Sequence, residues 1–199
     1  FTEDALRMLR AVRFAAQLGF AIEEETEQAI SPLAGNLRDI SAERIQAELV
    51  KLLVSAHPEE MRTVYETGMS QVFLPEFDRM METPQNNCHH IYNVGDHTLV
   101  ALQNIPCDKI LRLTMLLHDV AKPECQVMDG DGIYHFYGHP AKGAVMAGQI
   151  LRRLKFDNDT IDRVASLVAC HDELPTLREA PVRRAIHRIG LRQFPDLFA

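Results

Sequence analysis

Apolar positions in this chain recur at helical spacing almost throughout. Over residues 3–18, Met8, Leu9, Val12, Ala15 and Ala16 share one helical face, and Gly19 supplies a C-terminal stop. A short helix follows from Glu23 to Ile30, after which Pro32, Gly35 and Asn36 read as a loop. Ser41 is a good N-cap for a helix over 42–55, where Ile45, Leu49, Leu52 and Leu53 make an apolar stripe. Pro58 suits the first turn of the next helix, which runs to about Thr67 and stops at Gly68. The stretch from Pro75 to Asn87 holds two prolines and paired asparagines and reads as the boundary between two helical units. Beyond it the pattern predicts helices at about 94–103, 108–120, 140–154, 158–170 and 179–189. One segment departs. In 124–137, Asp129-Gly-Asp-Gly separates Cys-Gln-Val-Met from Ile-Tyr-His-Phe-Tyr, a hairpin signal. The expected fold is therefore all-α, two helical units with one short β-hairpin near 124–137.

Composition narrows the class only a little. With 199 residues, 46% apolar and 25% charged, the chain can hold one medium domain or two small ones. No stretch approaches the 18 or so apolar residues that span a membrane, and no signal-peptide pattern opens the chain. Cys88, Cys107, Cys125 and Cys170 are widely spaced without a Cys-x-x-Cys pair, as expected of reduced thiols in a cytoplasmic protein. The net charge of −7 argues against non-specific nucleic-acid binding over the whole surface and leaves room for a local basic face. Asp129 and Asp131 would fit a calcium loop only with a later Glu, which is missing, so the turn reading stands.

The densest chemistry lies in the second half. His118-Asp119 ends the apolar run Ile110 to Leu117; His97 sits at the start of another, and His171-Asp172 ends a third. His139 lies between them. Neutral imidazoles and carboxylates suit a divalent metal that keeps open positions. Six candidate ligands exceed what one closed tetrahedral site needs, which points to catalysis by one or two ions rather than a structural staple. His97, His118, Asp119 and Asp172 are expected at one ion, with His139 and His171 completing a second, weaker position. Imidazole-rich ligation favours Mn, Fe, Ni, Co or Zn over bare Mg. Lys122, three residues after Asp119, is placed to offset phosphate charge; Asp119 and Lys122 are the candidate catalytic pair.

A second pattern lies on the first helix. Glu3, Arg7, Arg10, Arg13 and Gln17 fall within about 120° of one another, opposite Leu9, Val12, Ala5 and Ala16. This fits a solvated face with i, i+4 charge pairs. It also fits a row of guanidinium groups for phosphates and planar hydrogen bonding. Two basic clusters, Arg152, Arg153 and Lys155, and Arg183, Arg184, Arg188 and Arg192, are candidate RNA phosphate contacts or solvated faces.

Two resemblances bear on these patterns. Residues 86–175 resemble the HD superfamily of metal-dependent phosphohydrolases, through His97, His118-Asp119 and a distal carboxylate, with His139 at a position used by two-metal members. No Asp occurs between 173 and 195, so Asp172 takes the distal role. The segment Phe-Thr-Glu-Asp-Ala-Leu-Arg-Met-Leu-Arg-Ala-Val-Arg-Phe resembles the signature of bacterial-type (class II) tRNA nucleotidyltransferases, the CCA-adding enzymes, and related poly(A) polymerases. That resemblance implies that Asp4 and Arg7 read the base of CTP or ATP, with Glu3 as support and Arg10 and Arg13 contacting the nucleotide. Ala-Glu-Arg-Ile-Gln-Ala-Glu-Leu at 42–49 resembles the next family motif, in which Glu43, Arg44 and Glu48 would brace the reading turn. Because Asp4 lies off the helical stripe, the helix is expected to begin after it.

The implied organisation is a neck over 1–75, an HD domain over 76–180 and the start of a further helical region over 181–199. The family's polymerase carboxylates, two Asp holding Mg, lie in a head that precedes the neck. No Gly-Ser-plus-paired-Asp segment replaces it here, so the chain is expected to be part of the enzyme and not to polymerise alone. The implied partners are the tRNA 3′ end, CTP and ATP, without DNA or membrane. Alternatives of another kind are a stand-alone HD phosphohydrolase acting on 2′,3′-cyclic phosphates or phosphomonoesters, and an RNA-binding helical module with an inactive metal site.

Overall fold

A computed structural model describes residues 3–86 and 92–172, together with 183, 186, 187, 190 and 194–198. The expected helix over 179–189, Cys88, and Arg184, Arg188 and Arg192 lie wholly or mostly outside these residues. The fold is mostly α, as expected. The helices are α1 (Leu6–Leu18), α2 (Glu24–Gln28), α3 (Ala42–Leu53), α4 (Met61–Glu66), α5 (Ser70–Phe73), α6 (Pro75–Met81), α7 (Val94–Asn104), α8 (Lys109–Leu117), α9 (Lys122–Cys125), α10 (His139–Arg153) and α11 (Asn158–Cys170). Between α9 and α10, β1 (Val127–Met128) pairs antiparallel with β2 (Tyr134–His135), the expected hairpin.

Helix α1 begins after Asp4 because that side chain caps it: Oδ1 accepts from the Leu6 backbone N–H at 3.1 Å. Gly19 closes the helix in the left-handed region, φ 67°, its N–H bonded to the Ala15 carbonyl. Leu6, Met8, Leu9, Val12 and Ala16 are buried and pack α1 on α3, which turns Ile45, Leu49, Leu52 and Leu53 toward it.

Two segments differ from the sequence expectation. Ser31–Asp39 is 3₁₀-helical rather than a loop, with Pro32 in its first turn and Ala34 and Leu37 buried. The expected boundary stretch, from Pro75 to Asn87, carries α6, and α5 lies just before it. Pro75 stands in the first turn of α6, where its missing N–H breaks no intrahelical bond, and Phe77, Met80 and Met81 then bury one face. Buried apolar residues run as one cluster from Ala5 to Val168.

The second half is built around α8, α10 and α11. Asp108 caps α8, accepting from the N–H groups of Ile110 and Leu111 at 2.8 and 3.1 Å. Asp157 caps α11 through the Thr160 N–H at 2.9 Å. Helices α10 and α11 form an extensive antiparallel pair, and α11 also packs on α8. Gly143 permits the close approach: a Cβ there would meet Val168 Cγ1 at 3.3 Å and the His118 carbonyl oxygen at 3.5 Å. This packing brings the C-terminal ends of α8 and α11 and the N-terminal end of α10 to one place. Among the described residues no helix is long and apolar enough to cross a membrane.

Candidate functional site

The six histidine and aspartate candidates converge at those helix ends. His118 and His171 are the C-terminal caps of α8 and α11, His139 is the first residue of α10, and His97 lies in the early turns of α7. Asp119 sits at the centre, 1% exposed. Its Oδ2 lies 3.0 Å from His118 Nε2 and 3.9 Å from His97 Nε2. Its Oδ1 lies 3.4 Å from His139 Nε2 and 3.6 Å from His171 Nε2. His97, His118 and Asp119 form one compact ligand group, and Asp119, His139 and His171 form another; Asp119 is common to both. Asp172 joins the second group rather than the first, 3.3 Å from His139 Nε2 and 3.2 Å from His171 Nε2.

Backbone geometry fixes the tautomers. Nδ1 of His118, His139 and His171 lies 2.7, 2.8 and 2.8 Å from the carbonyls of Met115, Phe136 and Val168, each three residues back. A carbonyl has no proton to give, so each Nδ1 carries the hydrogen. In the neutral ring Nε2 is then an unprotonated acceptor aimed at Asp119. Such support of the remote ring nitrogen is how metal-bound histidines are held. The result is acceptor facing acceptor. His139 Nε2 and His171 Nε2 are 3.2 Å apart, and both oxygens of Asp119 are buried without a well-aligned donor. The Lys122 ammonium, 2.8 Å from Oδ2, supplies part of the positive charge that these acceptors require, and a proton or a metal ion on the Oδ1 side would supply the rest.

The titration behaviour agrees. Burial alone would raise the Asp119 carboxyl, but the imidazoles of His118, His139 and His171 hold it well below the usual carboxylate range. Burial would lower His171, yet Asp119, the Val168 carbonyl and Asp172 outweigh it and push the imidazole up. The Nε2 and carboxylate donor set fits a divalent transition metal.

Lys122 is buried, with Nζ 2.8 Å from Asp119 Oδ2 and an aligned hydrogen bond to Gln85 Oε1 at 2.9 Å. Gln85 lay in the segment read as a boundary, and no sequence signal marked it. A recess of about 380 Å³ opens beside the cluster, lined among others by Lys122, His135, Phe136, Tyr137, His139 and Asp172.

The charged face of α1 meets α3. Glu48, 4% exposed, takes Arg13 Nε on Oε2 at 3.0 Å and Arg10 Nε on Oε1 at 3.4 Å, with Lys51 Nζ also at 3.4 Å. Burial would raise the Glu48 carboxyl; Lys51, Arg13 and Arg10 together hold it down. Asp4 Oδ2 accepts from Arg44 Nη2 at 2.9 Å. Arg7 is exposed and lies 3.5 Å from the exposed Glu3. Arg13 also stacks over Phe14, 3.5 Å from its centroid. Glu43 is exposed. Of the basic pair on α10, Arg153 is held by Glu76 through two bonds of 2.9 and 2.6 Å, while Arg152 is exposed.

Comparisons with known proteins place these features in a family. Residues 19–81 match the family model described as the probable RNA and SrmB-binding site of polymerase A. The chain is 36% identical to the A-adding tRNA nucleotidyltransferase of Deinococcus radiodurans, over 98% of this chain and 48% of that protein. It is 35% identical to the CC-adding tRNA nucleotidyltransferase of Thermus thermophilus, over 98% of this chain and 47% of that protein. It is 32% identical to the multifunctional CCA protein of Actinobacillus pleuropneumoniae, over 100% of this chain and 52% of that protein. The chain belongs to the family of class II tRNA nucleotidyltransferases and poly(A) polymerases. It spans about half the length of the curated relatives it matches.

Proposed function

We propose that the chain is the neck (1–75) and HD-type portion (76–180) of a cytoplasmic enzyme that adds nucleotides to tRNA 3′ ends. The observation that carries this is similarity running through both portions to proteins named for A-, CC- and CCA-addition. In this reading Asp4 and Arg7 select CTP or ATP by hydrogen bonds to the base edge. Glu3 supports them, and Arg10 and Arg13 contact the nucleotide. The Arg44–Asp4 and Glu48–Arg10–Arg13 pairs support it, because they lock the turn between Asp4 and α1 onto α3. The polymerase chemistry belongs to a head portion with Mg. RNA contact falls to the exposed Arg152 and Lys155 rather than to Arg153.

The His/Asp cluster is proposed as a phosphohydrolase centre. His97, His118 and Asp119 would hold one Mn, Fe, Co, Ni or Zn ion. Asp119, His139, His171 and Asp172 would hold a second. When bound, such an ion supplies hydroxide at neutral pH by lowering the pKa of its water. Lys122 offsets phosphate charge, and Gln85 fixes its amine. Substrates of this centre are 2′,3′-cyclic phosphates or phosphomonoesters at nucleotide or RNA ends. Asp119 Oδ1, buried and facing only the Nε2 atoms of His139 and His171, favours a working centre over an inactive scaffold, because such an atom persists at a cost unless an ion binds it.

Two measurements test the proposal. The purified chain should hold manganese or nickel and hydrolyse 2′,3′-cAMP when given either. A protein that takes up no metal and stays inactive leaves an RNA-binding scaffold. The full-length protein should extend tRNA lacking its 3′ terminus with CTP, ATP or both; absence of extension with either nucleotide rejects the transferase reading.

A further inference from the structure

Hairpin strand β2 continues into a short aromatic segment beside the His/Asp cluster. His135 ends β2, and Tyr137 stands two residues on, in the turn before α10. Their rings lie parallel, 5.3 Å between centroids and 6° between planes. The stack is anchored from below: His135 Nε2 is 2.7 Å from Asp129 Oδ2, and Asp129 Oδ1 accepts from the Asp131 and Ile133 N–H groups at 3.0 and 2.9 Å. Asn86 also donates to the Gly132 carbonyl at 3.0 Å, which ties the turn to the body of the protein. Tyr137 is 74% exposed, so core packing does not account for an aromatic ring there.

The same segment is joined to the cluster. The Phe136 carbonyl accepts from His139 Nδ1 at 2.8 Å, and Lys122 Nζ lies 5.3 Å over the Phe136 ring. The recess these residues share measures about 380 Å³, within the roughly 300–1,000 Å³ typical of small-ligand pockets. It thus combines a preorganised π-surface with the positive amine and imidazoles that a phosphate needs.

We infer that Tyr137, stacked on His135, is the platform for the nucleobase of the substrate whose phosphate enters the His/Asp cluster. This rests on the phosphohydrolase reading and adds to it the residues that would hold the base of a nucleotide, free or as the last residue of an RNA. Every base presents a π-face, so the platform selects for a base without reading which one. It therefore works differently from Asp4 and Arg7, which are proposed to read base edges.

The test is a set of binding measurements by calorimetry on the intact chain, with manganese present, using adenosine 2′-monophosphate, ribose 5-phosphate, inorganic phosphate and adenosine. Adenosine 2′-monophosphate should bind about tenfold more tightly than ribose 5-phosphate, within the range that base–aromatic stacking supplies. Tyr137→Ala should erase that advantage and leave inorganic phosphate binding unchanged, which also shows that the variant is folded. Tyr137→Phe should keep it. Cytidine and adenosine monophosphates should differ little. The inference is overturned if the base adds no affinity, or if Tyr137→Ala keeps the full advantage. If inorganic phosphate does not bind at all, the phosphohydrolase reading fails; adenosine binding that Tyr137→Ala abolishes would still establish the platform, and its absence would remove both. A short oligonucleotide ending in a 3′-phosphate separates the two sources: tighter binding than the mononucleotide assigns an RNA end, equal binding a free nucleotide.

Discussion

The charged face between α1 and α3 and the His/Asp cluster at the ends of α8, α10 and α11 are both centred on a buried carboxylate, Glu48 in one and Asp119 in the other, satisfied in opposite ways. Around Glu48 and Asp4, each carboxylate oxygen has a cationic or N–H donor from the chain itself. Around Asp119, imidazole nitrogens and carboxylate oxygens face one another as acceptors, and both Asp119 oxygens lack an aligned donor. The first is complete without a ligand and serves as a brace. The second has one cation from the chain, Lys122 at 2.8 Å from Oδ2, and on its Oδ1 side is complete only with added positive charge. A constellation that satisfies itself says little about what it binds; one that does not names the charge of its ligand.

Removing the shared carboxylate should break the comparison most sharply. Asp119→Asn deprives both ligand groups of their common anion. Loss of supporting partners alone commonly costs roughly 10–100-fold in metal affinity, so loss of a bridging ligand should exceed that. Manganese at a hundred times its Kd should stabilise the parent by about 2.7 kcal/mol against unfolding. The variant should show no metal-dependent rise in Tm, and a chelator should not alter it. A variant that keeps the parent's metal content and Tm shift would mean that the histidines form the site without Asp119.

The brace should respond to pH and not to chelators. Glu48→Gln removes the carboxylate that Arg10, Arg13 and Lys51 share. Loss of one partner of a buried ion pair costs about 3–5 kcal/mol, and the exposure of Arg10 and Lys51 reduces this to ~2–3 kcal/mol. The Glu48 carboxyl sits below its ordinary value of 4.5 in the fold. Its contribution is therefore full above that value and fades as pH falls through the lowered one. Denaturant titrations should show the gap between parent and Glu48→Gln constant from about pH 6 to 8 and closing as the pH falls below 4.5. A gap that does not change with pH would assign the loss to packing rather than charge.

The two regions were also unequally legible. Helix α11 is Asn158–Cys170, the span its 3.6-residue pattern predicts, because its Asp157 cap and apolar stripe are both local. His97, His118-Asp119 and His171-Asp172 were recognisable because they stand near helix ends beside apolar runs, His139 through the family resemblance, and the fold needs only to bring those ends together. Helix α6 was missed because Pro75 and Pro84 were read as breakers, although Pro75 begins the helix. Gln85, which holds Lys122 from 37 residues away, and the His135–Tyr137 stack had no signal at all. Both depend on where the hairpin and the segment after α6 come to rest, which is tertiary rather than periodic information. The pairing of Arg153 with Glu76, 77 positions apart, was hidden for the same reason.

Arg7 gives the smallest effect on stability and the finest test of the contrast. It is the member of the α1 face least used by the protein itself. Its side chain is 57% exposed, and its ion pair with Glu3 is a solvated i, i+4 contact. Such pairs contribute a few tenths of a kcal/mol, so Arg7→Ala should shift unfolding of this chain by less than ~0.5 kcal/mol. A guanidinium not engaged by its own fold is available to a ligand, and each bidentate base contact is worth about 1–3 kcal/mol of discrimination. In the full-length protein, single-turnover extension should therefore show Arg7→Ala accepting GTP and UTP about 5- to 150-fold more readily relative to CTP and ATP. Arg13→Ala is the control from within the brace: it should lose stability along with activity, because it leaves the buried Glu48 short of a partner. If Arg7→Ala kept the parent's nucleotide choice, the α1 face would be a brace from end to end, and base selection would have to be sought elsewhere in the enzyme.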